Sequence, residues 1–320
     1  MLSNSALCGL LNIEHPIIQG GMAWLGTAEL VSAVSNAGCL GVIGSGDAPS
    51  SWLREQIKLT REKTDKPFAV NILLMSPFLK ENLDIVMDEH VSIVTFGGGN
   101  PGTYIPALKE AGIRTMPVVA SVALARRLER LGADAIIAEG MESGGHVGET
   151  TTMALVPQVA NSIKVPVIAA GGIADGRGLV AALALGAQGV QMGTRFICSD
   201  ECIAHPKFKE RILQSEDRAT VVTGESTGHP VRCLENKLTR QFNALEKTGA
   251  SKTELEEFGR GRLSFGIIRG NIEEGSLMAG QIAGLIKEIN PVKAIVDDII
   301  AEAEKVIDTL GRVKSKEAKT

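Results

Sequence analysis

The chain has 320 residues, of which 44% are hydrophobic and 22% are charged, and its formal net charge is −4. This composition is typical of a globular protein with a large core, and it argues against a globally basic surface for nucleic acid. No apolar run approaches the roughly 18 residues of a membrane span, and the N-terminus lacks the features of a signal peptide. The five cysteines are scattered, so we expect a reducing, cytoplasmic location.

Eight short apolar or β-branched runs, separated by helical patterns, extend from residue 16 to residue 196. The predicted strands are 16–22, 40–46, 68–74, 91–99, 115–121, 134–140, 165–173 and 189–196. The predicted helices are 27–38, 50–63, 77–90, 103–112, 121–132, 151–163 and 176–186. Four helical patterns end at Gly38, Gly112, Gly132 and Gly186, as expected where a helix closes in the left-handed conformation.

The strand runs are continuously apolar, which is the pattern of a parallel sheet buried on both faces. About eight such strand–helix units in series predict a (β/α)₈ TIM barrel. An open, doubly wound sheet is the alternative, and the absence of an obvious switch point in strand order weighs against it.

Residues 197–270 break the strand–helix alternation and are richer in charge. We interpret them as an inserted, partly helical segment that covers the barrel mouth after strand eight. The barrel then comprises residues 1–196 and 271–310, with a helix at 275–289 and an amphipathic helix at about 291–310. A charged tail, 311–320, ends the chain.

Glycines concentrate at the predicted carboxyl ends of the strands, where barrel enzymes place their active sites. The strand ends carry Gly20–Met22, Gly97–Gly99, Glu139–Gly140, Ala170–Gly172 and Gly193–Thr194. So much bare backbone on one rim indicates a large planar ligand in close contact with the main chain. The ends of strands seven and eight together match a phosphate cradle, whereas tight turns alone would explain only one of them.

His146 lies among glycines in "AEGMESGGHVGETTTM" (138–153), on the loop that leaves strand six. An imidazole there can donate a hydrogen bond or a proton near neutral pH. The simpler interpretation is a loop residue that caps nearby carbonyl groups. Cys198, Cys202 and His205 lack a fourth ligand at a known spacing, so we expect ordinary side chains and no metal site.

Several segments resemble one group of flavoenzymes over nearly the whole chain. They include "PIIQGGMAWL", "KPFAVNILLMSPF", "VPVIAAGGIADGRG", "VQMGTRF" and "GSLMAGQIAGLI", together with the His146 segment. These segments resemble the flavin-dependent enoyl-acyl-carrier-protein reductases (the enoyl reductase II type), which belong with the nitronate monooxygenases, or 2-nitropropane dioxygenases. The glycine motifs fit both groups, whereas "QGGMAWL" and "GSLMAGQIAGL" are more similar to the reductases.

The resemblance implies an FMN-binding barrel in which His146 faces the substrate beside the flavin. The isoalloxazine would lie along Gly20, Gly21 and Met22, with Asn71 at its polar edge and Glu139 near the ribityl chain. The resemblance assigns the remaining cofactor contacts to Ser143, Gly144, Gly145, Ala170, Gly171, Gly172, Gly193 and Thr194, of which the glycines at 171, 172 and 193 and the threonine would hold the phosphate.

The resemblance implies reduction of trans-2-enoyl-acyl-carrier-protein thioesters with NADH or NADPH, in bacterial type II fatty-acid synthesis. His146 would be either the hydrogen-bond donor to the thioester oxygen or the source of the Cα proton. The alternative is a nitronate monooxygenase that uses O₂. A third possibility is a flavin- or phosphate-binding module without turnover.

The implied protein partner is acyl carrier protein, which is strongly acidic, and we also expect a homodimer. Because the chain is net negative, docking of an acidic protein needs a local basic area. Two stretches in or beside the inserted segment could supply it, and a merely solvated basic surface is the alternative. Their basic residues are Lys207, Lys209 and Arg211 in the first stretch and Arg260, Arg262 and Arg269 in the second.

Overall fold

Eight parallel strands form a closed barrel in the computed structural model, which describes residues 5–317 and their side chains through residue 312. The barrel strands are β1 (Ile17–Gln19), β2 (Gly41–Gly44), β3 (Phe68–Leu73), β4 (Ile93–Gly97), β5 (Arg114–Val119), β6 (Ile136–Glu139), β8 (Val167–Ala170) and β9 (Gly189–Met192); β7 (Gly145–His146) lies outside the barrel. Neighbours follow the order β1-β9-β8-β6-β5-β4-β3-β2, and a parallel bridge from Ile18 to Leu40 joins the two ends. The predicted (β/α)₈ barrel is confirmed, and the open sheet is excluded.

Each of the eight predicted barrel strands is present, although most are shorter than predicted. The last one ends at Met192 instead of residue 196, because Thr194–Ile197 forms the short helix α9 directly after Gly193. Glycines at the strand ends carry the chain out of the ladder and into the loops above the barrel. The shortened strands therefore leave a longer stretch of bare backbone on the rim than the sequence indicated.

The predicted helices alternate with the strands. The seven predicted helices are α2 (Ala28–Asn36), α3 (Ser50–Lys63), α4 (Leu79–Asp88), α5 (Ile105–Glu110), α6 (Val122–Arg130), α7 (Thr152–Ala160) and α8 (Gly176–Ala184). A further short helix, α1 (Ala6–Leu11), precedes the barrel and was not predicted. The four predicted terminal glycines have φ of 84°, 75°, 98° and 96° at positions 38, 112, 132 and 186. These angles confirm the left-handed helix ends, which favour glycine because a Cβ is disfavoured there.

Helix α1 closes the end of the barrel that lies opposite the predicted site. Its Leu7 and Leu11 are buried in the same apolar cluster as Ile18, Val42 and other inward-facing strand residues. A Cβ on Gly189, the first residue of β9, would lie 2.4 Å from a Leu7 methyl carbon. Helix α1 therefore covers the amino ends of the strands, and their carboxyl ends stay available for the site.

The segment after β9 is partly helical, as predicted, but it also contains two strands that were not predicted. Its further elements are α10 (Pro206–Leu213), β10 (Thr220–Thr223), β11 (Val231–Leu234), α11 (Lys237–Lys247), α12 (Lys252–Gly259) and α13 (Arg262–Ile267). Strands β10 and β11 are antiparallel, and β11 also pairs with β7, with Val231 opposite His146. We call residues 197–270 the cap; its strand β11 thus pairs with the His146 loop.

The helix predicted for residues 275–289 is wrong. That segment is irregular apart from a 3₁₀ turn at Gln281–Leu285. Its backbone groups bond to other segments: Leu277 O accepts from Leu234 N, Gly280 N donates to Thr194 Oγ1, and Gln281 N donates to Glu142 O. Backbone groups that bond to other segments cannot also form α-helical hydrogen bonds. These bonds instead connect the segment to the cap and to the rim of the barrel.

The eighth helical position on the outside of the barrel is taken by α14 (Val292–Glu317), which packs against α8 and α2. The contact with α8 is close, since a Cβ on Gly176 would lie 2.4 Å from the Ala303 nitrogen. This helix was predicted to end near residue 310, but it continues into the predicted tail, of which residues 318–320 lie outside the described part. No helix within residues 5–317 is long and apolar enough to cross a membrane.

Candidate active site

A cavity of about 610 Å³ lies at the carboxyl ends of the barrel strands, beneath the cap. It brings together all of the residues predicted for the site, although their roles remain predictions. Those residues are Gly20, Gly21, Met22, Asn71, Glu139, Ser143, Gly144, Gly145, His146, Ala170, Gly171, Gly172, Gly193 and Thr194. Gly97–Gly99, also expected on the rim, line the same cavity.

The ends of β8 and β9 form a cradle of the kind expected for a phosphate. Gly171 and Gly172 have φ of 88° and 74°, and Gly193 directly precedes α9 without a side-chain cap. A Cβ on Gly172 would lie in ordinary contact with the Glu142 side chain, at 3.5 Å. Helix α8 contributes less than expected, because the Asp175 carboxylate already caps its first N–H groups. The two glycine ends and the start of α9 therefore stay the predicted phosphate site.

Crowding of the backbone explains the glycines at the end of β1. A Cβ on Gly21 would lie 2.3 Å from the Asn71 Cβ, so any larger residue would displace that side chain. Asn71 Nδ2 donates to Thr95 Oγ1 at 2.9 Å, which leaves the amide oxygen as an acceptor for a bound ligand. A Cβ on Gly20 would contact the Gln191 side chain at 3.4 Å. This part of the wall thus presents bare backbone beside the side-chain amides of Asn71 and Gln191.

His146 lies on β7, where pairing with β11 fixes its backbone. Burial lowers the pKa of the imidazole below its ordinary value of 6.5, and the nearby His229 lowers it further. The ring is therefore neutral at pH 7, with one N–H donor and one acceptor nitrogen. A neutral donor on the cavity wall is suited to a substrate oxygen that gains negative charge during the reaction.

Glu139 ends β6 and lines the cavity. Burial raises the pKa of its carboxyl group from 4.5 to about 7, so near neutral pH it is both a donor and an acceptor. The neighbouring Ser143 hydroxyl acts in the opposite direction on this pKa, but its oxygen is buried and makes no well-formed hydrogen bond among the described residues. Ser143 and Glu139 therefore place a hydroxyl group and a carboxyl group side by side on the cavity wall.

The loop that carries His146 is held from three sides. The Glu142 carboxylate accepts from the Thr152 N–H and hydroxyl groups, and Thr152 Oγ1 also lies 2.9 Å from the Gly171 carbonyl oxygen. From the cap, buried Arg232 donates to the Met141 carbonyl through Nε at 3.0 Å. These bonds fix the segment between Met141 and His146 relative to the phosphate cradle.

Sequence reasoning missed several residues that line the cavity. Gln191 is a buried polar residue inside an otherwise apolar strand, a pattern that could have identified it. Glu142 lies in the quoted histidine segment, but its role depends on Thr152, ten positions away. The apolar residues of the cap and of the irregular segment carried no signal in the sequence. They are Ile197, Leu263, Ile267, Met278 and Ile282.

The cysteine pair considered as metal ligands is buried, and burial raises the pKa of both thiols. His205 Nδ1 instead accepts from Lys207 N and caps α10. No group of three or more metal-binding side chains occurs within residues 5–312. In the structure, Cys198 and Cys202 are buried free thiols, and His205 is a helix cap.

The two basic stretches are only partly available for docking. Lys209 is buried and donates to the Ser199 carbonyl, so its prediction as a docking residue is wrong. Arg262 is half-buried, donates to the Phe258 carbonyl at 3.3 Å, and lies over the Phe258 ring at 5.5 Å. Lys207, Arg260 and Arg269 are exposed. A basic docking area, if formed, therefore rests on fewer charges than the sequence indicated.

Comparison with solved structures gives a strong match to FabK from Thermotoga maritima. The sequences are 52% identical, the TM-score is 0.95, and the match covers 97% of this chain and 99% of that chain. A nitroalkane oxidase from Streptomyces ansochromogenes is 28% identical with a TM-score of 0.83, over 96% of this chain and 100% of that chain.

Comparison with curated proteins and family models points to the same family. A probable nitronate monooxygenase of Staphylococcus saprophyticus is 36% identical, over 96% of this chain and 100% of the relative. A carboxyl-CoA dehydrogenase of Rhodococcus jostii, named for a hydroxy-methyl-oxo-octahydroindene substrate, is 33% identical over 97% and 99%. The nitronate monooxygenase family model matches residues 4–83 and 76–302. The chain therefore belongs to the nitronate monooxygenase family of flavin-dependent oxidoreductases.

Proposed function

We propose that this protein is an FMN-dependent enoyl-thioester reductase that uses NADH or NADPH. The observation that carries the proposal is the imidazole of His146 on the wall of the same glycine-lined cavity as the predicted phosphate-binding glycines. The 52% identity to FabK across 97% of the chain supports a reductase over the other activities of the family.

The residues of the cavity fit FMN. The Ser143 hydroxyl and the Asn71 amide oxygen offer polar groups on the cavity wall, and the backbone at Gly171 and Gly172 has the positive φ that favours glycine. Gly193 and Thr194 would complete the phosphate site, Gly20, Gly21 and Met22 would flank the ring, and Asn71 would bond its polar edge. When bound, FMN supplies the hydride chemistry that links a nicotinamide nucleotide to the β-carbon of an enoyl thioester.

His146 would act on the thioester side of this reaction. Negative charge develops on the thioester oxygen as the β-carbon is reduced, and an N–H donor aimed at that oxygen lowers the barrier. Such a donor is commonly worth about 3–4 kcal/mol. The same imidazole could instead deliver the proton to Cα, and substitutions described below separate these roles. The neutral imidazole can donate the hydrogen bond as it is, whereas delivery of a proton to Cα requires the protonated ring, which burial disfavours.

The anaerobic reaction with NAD(P)H tests the proposal. Bleaching of the flavin absorbance, followed by reoxidation with crotonyl-thioester and formation of the saturated product, is the expected result. Bleaching without reoxidation by any enoyl thioester would contradict it. The second candidate, a nitronate monooxygenase, is supported by the family model and by the 36% identical relative. It requires oxidation of an alkyl nitronate with consumption of O₂ and without added NAD(P)H.

A binding module without turnover is the third candidate, and a colourless purified protein without FMN would favour it. Within the leading proposal, acyl carrier protein remains the proposed carrier of the substrate. Exposed Lys207, Arg260 and Arg269 would provide its contacts, because a carrier-bound substrate must approach the barrel from the cap side.

A further inference from the structure

A second, smaller cavity of about 210 Å³ lies within the cap, next to the candidate active site. Only His146 and Met278 line both cavities, so the two spaces adjoin at these side chains. We call the smaller one the cap chamber. It is enclosed by β10, β11, α11 and α12, which are elements of the inserted segment.

The wall of the cap chamber exposes more apolar than polar surface, although polar side chains also line it, namely Thr223, Thr227, Thr239, Arg262 and Ser276. Val231, Leu238, Phe242 and Leu255 contribute to it, and Leu255 is completely buried. The exposed residues His229 and Glu256 lie where the chamber meets the surface. A chain of methylene groups suits the apolar part of this wall.

We propose that the cap chamber binds the distal acyl chain of the enoyl substrate and sets the preferred chain length. This inference rests on the proposed function. If His146 bonds the thioester oxygen, the carbons beyond the β-carbon must leave the reaction centre near the same side chain. The adjoining chamber offers them an apolar path past Met278, while the thioester arm extends towards solvent.

Gly259 provides a direct way to fill the chamber. It ends α12 and lines the chamber, and its backbone does not have a positive φ. A Cβ there would meet only a Phe242 ring carbon, at an ordinary 3.7 Å. Gly259→Leu should therefore project into the chamber without backbone strain. Gly9→Leu is the matched control, because Gly9 is an exposed helical glycine on α1 with nothing within 4 Å of its Cβ position.

The experiment measures kcat/KM of the holoenzyme for trans-2-enoyl-CoA thioesters from four to twelve carbons. In the wild type, kcat/KM should rise by about four-fold for each methylene that is newly buried. Gly259→Leu should change the four-carbon substrate less than about two-fold, yet remove ten-fold or more of the gain for long chains. Gly9→Leu should match the wild type. Equal effects of Gly259→Leu at every length would overturn the proposal, as would a raised KM for NAD(P)H with unchanged length dependence.

Isothermal titration calorimetry of saturated acyl-CoA binding to the holoprotein separates this proposal from the proposed function. A gain in affinity with chain length that Gly259→Leu removes would support the chamber even if no enoyl thioester were reduced. Affinity that is independent of chain length in the wild type would overturn the chamber assignment, whatever the outcome of the turnover assay.

Discussion

Replacement of His146 by alanine tests the central element of the proposed mechanism. The side chain lies on the cavity wall, and burial keeps its imidazole neutral. Loss of one preorganised donor costs about 3–4 kcal/mol, which corresponds to a decrease of about 10²–10³-fold in the rate of enoyl reduction. FMN content should be unchanged, because the predicted phosphate cradle and ring contacts come from other residues.

Stopped-flow measurements under anaerobic conditions separate the two half-reactions. Flavin reduction by NAD(P)H should change little in His146→Ala, since hydride transfer to the flavin develops no charge on the thioester oxygen. Reoxidation by crotonyl-thioester should be slowed by the factor above. His146→Gln resolves the two possible roles: a glutamine N–H would restore part of the rate if the imidazole is a hydrogen-bond donor, but not if it is the proton source.

His229→Ala is the matched control for this experiment. His229 lies near enough to lower the pKa of His146 but is exposed and does not line the larger cavity. Its removal should raise the pKa of His146 slightly and leave reduction at pH 8 close to that of the wild type. Turnover of enoyl substrate by His146→Ala at the wild-type rate would refute the assigned role and return the residue to a structural one.

Three further predictions concern the cofactor, pH and the carrier. Gly172→Asp should yield protein without FMN, measured by its visible absorbance, because the carboxylate would repel the phosphate; a fully yellow variant would contradict the cradle. Because burial raises the pKa of Glu139 from 4.5 to about 7, its deprotonation disfavours the folded apoprotein, so the Tm of the apoprotein should fall relative to Glu139→Gln as pH rises from 4.5 to 7. Parallel Tm curves would argue against that shift. Arg260→Glu should raise KM for the carrier-bound enoyl substrate but hardly change KM for a CoA thioester. In 0.5 M salt the Debye length falls below about 8 Å, so the difference between the two substrates should become smaller. Equal changes for both substrates would exclude docking at this residue.

The sequence was sufficient for the barrel because each strand and each helix end carries a local signal. Continuous β-branched runs identified the buried strands, and glycines such as Gly38 and Gly186 identified the helix ends by their left-handed backbone. The rim could also be predicted, since barrel geometry brings consecutive strand ends together whatever their separation in the chain. All of the residues predicted from this rule except Gly140 line one cavity.

The remaining features depend on long-range contacts that leave no periodic pattern. Residues 275–289 have the composition of a helix, but their backbone bonds to Thr194, Leu234 and Glu142 instead. Strand β11 has only four residues and gains its order from β10 and from the His146 loop. Lys209 has the charge of a docking residue, yet its neighbours bury it on the inner face of α10.

The cap and the candidate active site are parts of one structure, because the same strand serves both. Strand β11 pairs with β7 and so fixes the backbone of His146. Its Arg232 donates to the Met141 carbonyl and so holds the other end of the loop. Its Val231 and Cys233 also line the cap chamber. A substrate chain in that chamber would contact the strand that orients the imidazole, so binding of the chain and placement of the donor would be coupled. On this proposal, the inserted segment adjusts specificity without any change in the glycine-lined rim of the barrel.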